Sequence, residues 1–317
     1  MNQDKKPRKK KKKDKKAFVI SLIVLAALLA AGLIYVIKLN QDNAIYTRLA
    51  EEAVTTPTPT EVPTPTAEPT PTPTEEPTPE AVSPEVVLNP SIEVDFEALN
   101  AVNEDVYGWI HIDGTTVSYP VYQSDPEDPD RYLRTNPVDG SETIEGAIYS
   151  ESNYNPEPLE DPVTVVYGHN LPTMGSIMFT NLHGYEEEEF RAEHPYIEFY
   201  SEDGRVRYYR VVASVTYDNS LILAKFDTTT REGYQAFLDS LDTTHWDPTW
   251  IDEEWERSTD NRLLVCSTCN GITHDQRYLV LAVQVDYYGE PITEDLYNDG
   301  GAEEAAGQES SSEKTEK

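Results

Sequence analysis

Cysteine is nearly missing from this 317-residue chain: there are two, Cys266 and Cys269. One pair three residues apart cannot staple a fold, so stability has to come from a packed core. Basic residues are also scarce, 25 Lys and Arg against 58 Asp and Glu, and ten of those 25 lie within residues 1–16. With two Asp, that head carries +8 and leaves −41 for everything after it. Phosphate binding needs clustered Lys and Arg, so the acidic remainder excludes nucleic acid as a partner. A long uncharged apolar run occurs once, over residues 17–37, twenty-one residues in all.

That run is long enough to cross a hydrocarbon core, which takes roughly 20 residues. The Lys-rich flank before it puts the N-terminus, residues 1–16, in the cytoplasm and the rest outside. Small residues at Ala30, Ala31 and Gly32 would suit a cleaved signal. The run continues past them, however, and exceeds a signal core of roughly 7–15 residues, so a retained anchor is expected. The expected location is thus the cell membrane, single-pass, with the working domain on the extracellular face.

Residues 38–90 hold a polar juxtamembrane piece and then a Thr-Pro tract, as in Thr56-Pro-Thr-Pro-Thr and Thr70-Pro-Thr-Pro-Thr. Eleven of the 23 prolines sit between Thr55 and Pro90. Such a tract favours polyproline II and spans at most about 110 Å, as a spacer. Residues 292–317 are rich in Gly, Ala, Glu and Ser without periodicity and read as a disordered acidic tail. What remains, residues 91–291, is one globular domain.

Strand-like runs occupy 107–112, 116–121, 147–149, 163–167, 196–200, 205–216, 262–268 and 277–287. Asp113-Gly114 and Asp203-Gly204 mark hairpin turns between neighbouring runs. A helix is expected over 94–105. A second is expected over 227–241, where Tyr234, Phe237, Leu238 and Leu241 follow helical spacing. Eight short strands and a helix predict a closed or nearly closed β-barrel.

Cys269 ends an apolar run, precedes Asn270-Gly271, and lies eight positions before Arg277, which opens the next run. A nearby cation favours the thiolate. Cys266 is mid-strand and reads as a small buried hydrophobe. Cys266-Ser-Thr-Cys269 also has redox or zinc spacing, but on a strand positions i and i+3 face opposite sides, and no second Cys pair exists. Of six histidines, His111 lies in a strand, His183, His194 and His245 in polar loops, and His274 in the tight loop before Arg277. His169 follows Gly168 at the end of an apolar run and leads by position. The run Glu186–Glu189 reads as a solvated face, and no metal is expected.

The set Tyr167-Gly-His169-Asn170, Ser267-Thr268-Cys269 and Arg277 resembles the sortases, membrane-anchored cysteine transpeptidases of Gram-positive bacteria. The likeness covers about residues 91–290. Class B is indicated by Asn103-Glu-Asp-Val-Tyr-Gly-Trp-Ile110, Tyr119-Pro-Val121, Gly146-Ala-Ile-Tyr149 and the long helix before the cysteine strand. The resemblance implies a mainly β fold: an eight-stranded sortase-type barrel with an N-terminal helix. It implies Cys269 as nucleophile, His169 as acid/base and Arg277 as stabiliser of the reacting carbonyl oxygen. Ser267, Thr268 and Asn170 are the expected substrate-binding residues. It implies no cofactor. The implied partners are surface proteins with a C-terminal sorting signal (NPxTx- or xPxTG-like) and an amine of a peptidoglycan precursor. A pilin polymerase and a non-catalytic wall module are the alternatives. Val265-Cys266 replaces the family's usual Thr-Leu, a departure expected to affect packing more than chemistry.

Overall fold

The computed structural model describes residues 10–56, 87–269 and 275–297. The chain falls into two compact units, residues 1–48 and 49–317. A helix, α1 (Lys10–Ala53), carries the stretch Phe18–Lys38, whose mean hydropathy of 2.8 and 21 residues suffice, by length and composition, to cross a membrane.

The second unit is mainly β. Its barrel strands are β1 (Val106–His111), β2 (Ser118–Ser124), β3 (Ile148–Glu151), β4 (Val163–Tyr167), β5 (Tyr196–Ser201), β6 (Val206–Asp218), β7 (Leu263–Cys269) and β8 (Gln276–Val285). They follow one another as β6-β8-β7-β4-β3-β2-β1-β5, and β5 pairs back onto β6, so the eight strands close. Closure removes the free edges that an open sheet would expose. Two of the pairings are parallel, β7 with β4 and β2 with β3. Gly114 and Gly204 take positive φ, +74° and +79°, in the turns that the Asp-Gly pairs predicted.

Alternation along β7 and β8 sends residues to two faces. Leu263, Val265, Leu279 and Leu281 pack with Tyr234, Phe237 and Leu238 of helix α3 (Arg231–Ser240) on the outer face. Leu264, Cys266, Val280 and Ala282 are equally buried and face the interior. The helix begins where the Thr230 hydroxyl accepts the Gly233 amide, so it is shorter than the expected 227–241. Gly233 is required there because a Cβ would lie 1.9 Å from the Asp227 carbonyl oxygen. The first helix of the domain is likewise trimmed, to α2 (Phe96–Val102), capped by Asp95.

Three segments go beyond the sequence reading. Val54–Thr55 pairs antiparallel with Glu93–Val94, so the body takes in residues ahead of the Thr-Pro tract. A further strand, Trp246–Ile251, adds to the outside of β6 and contains a cis Asp247-Pro248 bond. Residues 292–297 are tied to the body: the Ile292 amide donates to Gln284 and the Glu294 amide to Asp260, while the Tyr297 hydroxyl donates to the Thr228 carbonyl. The expected positions of Asn270, Gly271 and His274 lie outside the described residues.

Phe237 is fully buried between α3 and the barrel. Phe237→Ala is expected to lower unfolding free energy by about 3–5 kcal/mol in chemical denaturation. A loss below about 1 kcal/mol would show that α3 does not carry this face of the core.

Candidate active site

The site begins with strand direction. Because β4 and β7 run parallel, with Ser267 opposite Tyr167, their C-terminal ends emerge side by side. His169 follows one end, and Cys269 terminates the other. The Gly168 amide donates to the Ser267 carbonyl at 3.1 Å, which continues the pairing to the threshold of His169. Strand β8 runs antiparallel to β7 and places Arg277 opposite Cys269. Cys269, His169 and Arg277 therefore line one cleft of about 150 Å³, together with Ser267, Thr268, Leu133, Tyr149 and Tyr167. The cleft opens on the outer face of the barrel, the face that α3 covers further along the same strands.

Gly168 is needed for that geometry. A Cβ there would lie 2.5 Å from Ile148 Cδ1 and 2.7 Å from a Phe179 ring carbon. His169 Nε2 donates to the Leu133 carbonyl at 2.7 Å, which fixes the ring and leaves Nδ1 as the free nitrogen of the neutral form. Burial holds its pKa below the usual 6.5; the Arg134 and Arg277 charges push the same way, against the Leu133 hydrogen bond and Glu145. Neutral imidazole is thus the resting state at neutral pH.

The two thiols differ as strand alternation predicts. Cys266 is fully enclosed, and burial pushes its thiol pKa up. Cys269 is only partly buried and lies at the cleft. They share no disulfide. Among the described residues no group of three or more His, Cys, Asp or Glu is placed to hold a metal. A thiol, an imidazole and a guanidinium at one cleft can supply a nucleophile, a proton carrier and a cation for a developing oxyanion.

Ser267 and Thr268 are buried strand residues that line the cleft. Asn170 has a different setting: its Nδ2 donates to the carbonyl of Cys269 at 3.1 Å. His183, which the sequence reading set aside as a loop residue, meets it there. His183 Nδ1 donates to Glu186 Oε1 at 2.8 Å, and Nε2 lies 3.0 Å from Asn170 Nδ2 and 3.1 Å from the Cys269 oxygen. Its ring stacks on Tyr278 with centroids 4.4 Å apart. In the neutral ring Nε2 accepts from Asn170; a protonated ring would donate to the Cys269 carbonyl directly. Either way the backbone of the cysteine is held from the far side. The signal was the i, i+3 spacing of His183 and Glu186, which on a helical turn brings the two together. Glu186 stays on the exposed face expected for residues 186–189 while one of its oxygens accepts from His183.

Glu151, also unforeseen, lines the cleft from β3 and is 5% exposed. Burial, then the charge of Asp130, raises its carboxyl pKa to about 7.

Alkylation with iodoacetamide followed by mass spectrometry should give one adduct on the native protein, at Cys269, and two after denaturation. Native modification of Cys266 at a similar rate would contradict the placement of the two sulfurs on opposite faces.

No family profile matches the chain. It is 26% identical over 180 residues to sortase B of Staphylococcus aureus, covering 56% of the chain and 68% of the relative. It is 29% identical over 186 residues to sortase B of Listeria monocytogenes, covering 58% and 70%. Among solved structures, Clostridium perfringens sortase B superposes with a TM-score of 0.52 at 24% identity, over 61% of this chain and all of that one. A sortase B complexed with triglycine gives 0.50 at 24% identity, over 60% and 85%. At that identity the structural likeness speaks for the barrel alone.

Proposed function

Because the chain belongs to the class B sortases, we propose that it is a cysteine transpeptidase acting at the outer face of a Gram-positive cell membrane. It cleaves a C-terminal sorting signal of the NPxTx or xPxTG kind and transfers the protein to a cell-wall amine. The observation that carries this reading is the parallel β4–β7 register, which brings His169 and Cys269 to one cleft with Arg277 beside them. The Phe18–Lys38 stretch and the Lys-rich head support an anchor with its N-terminus inside. The Thr-Pro tract is not the spacer expected from the sequence, because the pairing of Val54–Thr55 with Glu93–Val94 makes the chain leave and re-enter the body at one place.

In the first half-reaction the Cys269 sulfur attacks the scissile carbonyl, forming S–C and breaking C–N. The thiol proton passes to Nδ1 of His169, since Nε2–H is held by Leu133, and from there to the departing amine. Arg277 faces the carbonyl oxygen as it gains charge. The second half-reaction runs in reverse sense. An amine attacks the thioester, gives a proton to His169, and the sulfur leaves and recovers it. A thioester suits this role because it is more reactive than the amides on either side. Two relatives speak for such partners: a Staphylococcus aureus sortase B was solved as a substrate complex, and a sortase B was solved with triglycine, a peptide with a primary amine at one end.

Incubation with a panel of sorting-motif peptides, with and without an amine, tests the reading by mass spectrometry. Cys269→Ala should abolish thioacyl formation and His169→Ala should slow it by about 10² or more. Arg277→Ala should cost about 10²–10³ in rate. Cys266→Ala should retain activity, and equal loss at both cysteines would contradict the assignment. The acid limb of kcat/KM should fall below pH 6.5, because the lowered His169 pKa keeps the base unprotonated down to that point. A limb well above it would assign the proton carrier elsewhere.

A further inference from the structure

Glu151 shares the cleft with Cys269 yet has no part in the steps above. It leaves β3 on the same face as Tyr149, whose ring packs on Tyr167 with centroids 5.6 Å apart. Its Oε2 is buried and meets no hydrogen-bond partner, and none of the ion pairs among the described residues includes it. After burial itself, the influence on it is the charge of another acid, Asp130, which lines the same cleft. An unpaired buried carboxylate is costly, and the group responds by holding its proton to about pH 7. An arriving cation would remove that cost and fill the vacant acceptor. The opposite end of the cleft has the opposite sign, because Arg277 stands beside Cys269.

We propose that Glu151, with Asp130 beside it, forms a subsite that receives the accepting amine as its ammonium ion, Glu151 Oε2 taking an N–H hydrogen bond from it. The ammonium gives that proton to the Glu151 carboxylate, and the freed nitrogen lone pair then attacks the thioester and passes its second proton to His169. The inference rests on the transpeptidase reading and names the ligand of its second half-reaction. An ammonium group supplies three donors and no acceptor, which matches a wall of two carboxyl groups. An alkyl or peptide amine acceptor arrives mostly in that charged form at neutral pH, whereas nothing in the reaction requires a basic residue in the donor peptide. The cleft is therefore polarised along its length. Its cationic end serves the reacting carbonyl oxygen and its acidic end the incoming amine.

The test uses the full chain in detergent, acylated by a peptide from the sorting-motif panel. Two nucleophiles then compete with water: triglycine, an ammonium at neutral pH, and hydroxylamine, which is uncharged there. In Glu151→Gln the ratio of KM for triglycine to KM for hydroxylamine should rise about tenfold, the worth of one charge-assisted hydrogen bond. Asp130→Asn should move the same ratio in the same direction by less. An unchanged ratio in Glu151→Gln overturns the proposal, as does an equal rise in both KM values, which would mark a structural role. A third arm compares donor peptides with Lys or Gln inside the motif. If Glu151→Gln penalises only the Lys peptide, the subsite serves the donor and the proposal fails. A wild-type enzyme that forms no thioacyl adduct with any peptide is a separate failure, that of the transpeptidase reading, and removes this subsite with it.

Discussion

Everything at the cleft depends on one backbone pairing, the parallel alignment of β4 with β7 from Leu263 opposite Val163 to Ser267 opposite Tyr167. Had these strands run antiparallel, His169 and Cys269 would lie at opposite ends of a five-residue ladder, about 17 Å apart at roughly 3.3 Å per residue. Parallel pairing requires a long crossover between the two strands, and here nearly a hundred residues supply it. Those residues build β5, β6, α3 and the outer strand, so the connection that makes the pairing possible supplies two of the barrel's own strands.

The second constraint is alternation within β7. One face of the strand feeds the barrel interior through Leu264 and Cys266, and the other carries Val265, Ser267 and Cys269 toward α3 and the cleft. Two chemically identical thiols are thereby separated into a sealed one and an accessible one by three residues of strand. The carbonyl of Cys269 accepts from Asn170, whose amide also meets His183, itself oriented by Glu186. A side chain at the last residue of a strand would otherwise fray with its backbone. Preorganisation of this kind matters where a displaced nucleophile lowers the rate steeply.

Much of this was legible in the chain. The eight runs, the two Asp-Gly turns and the apolar face of α3 followed from local periodicity, and the barrel they build is the one observed. The motif residues His169, Cys269 and Arg277 were legible by their positions at strand ends and by family resemblance. The outer strand Trp246–Ile251 was not read, because Asp247-Pro248 breaks the strand pattern and only pairing to β6 makes it one. Glu151 gave no signal, since an isolated Glu in sequence is ordinarily solvated and its burial comes from its place on β3 in the closed sheet. The pairing of His183 with a Glu three residues on is visible in the sequence, but the contact of its ring with the Cys269 end of β7 arises only in the fold. Residues 292–297 looked like tail by composition, but Tyr297 packs at the base of α3.

The convergence itself is most directly measured by a crystal structure of the protein alkylated at Cys269 with a chloromethyl ketone built on a sorting-signal peptide. The account predicts a peptide lying on the outer face of β4 and β7, its ketone oxygen within hydrogen-bond distance of the Arg277 guanidinium and the His169 imidazole beside the new sulfur–carbon bond. An adduct whose oxygen points to solvent, with Arg277 and His169 on opposite sides of β7, would contradict it.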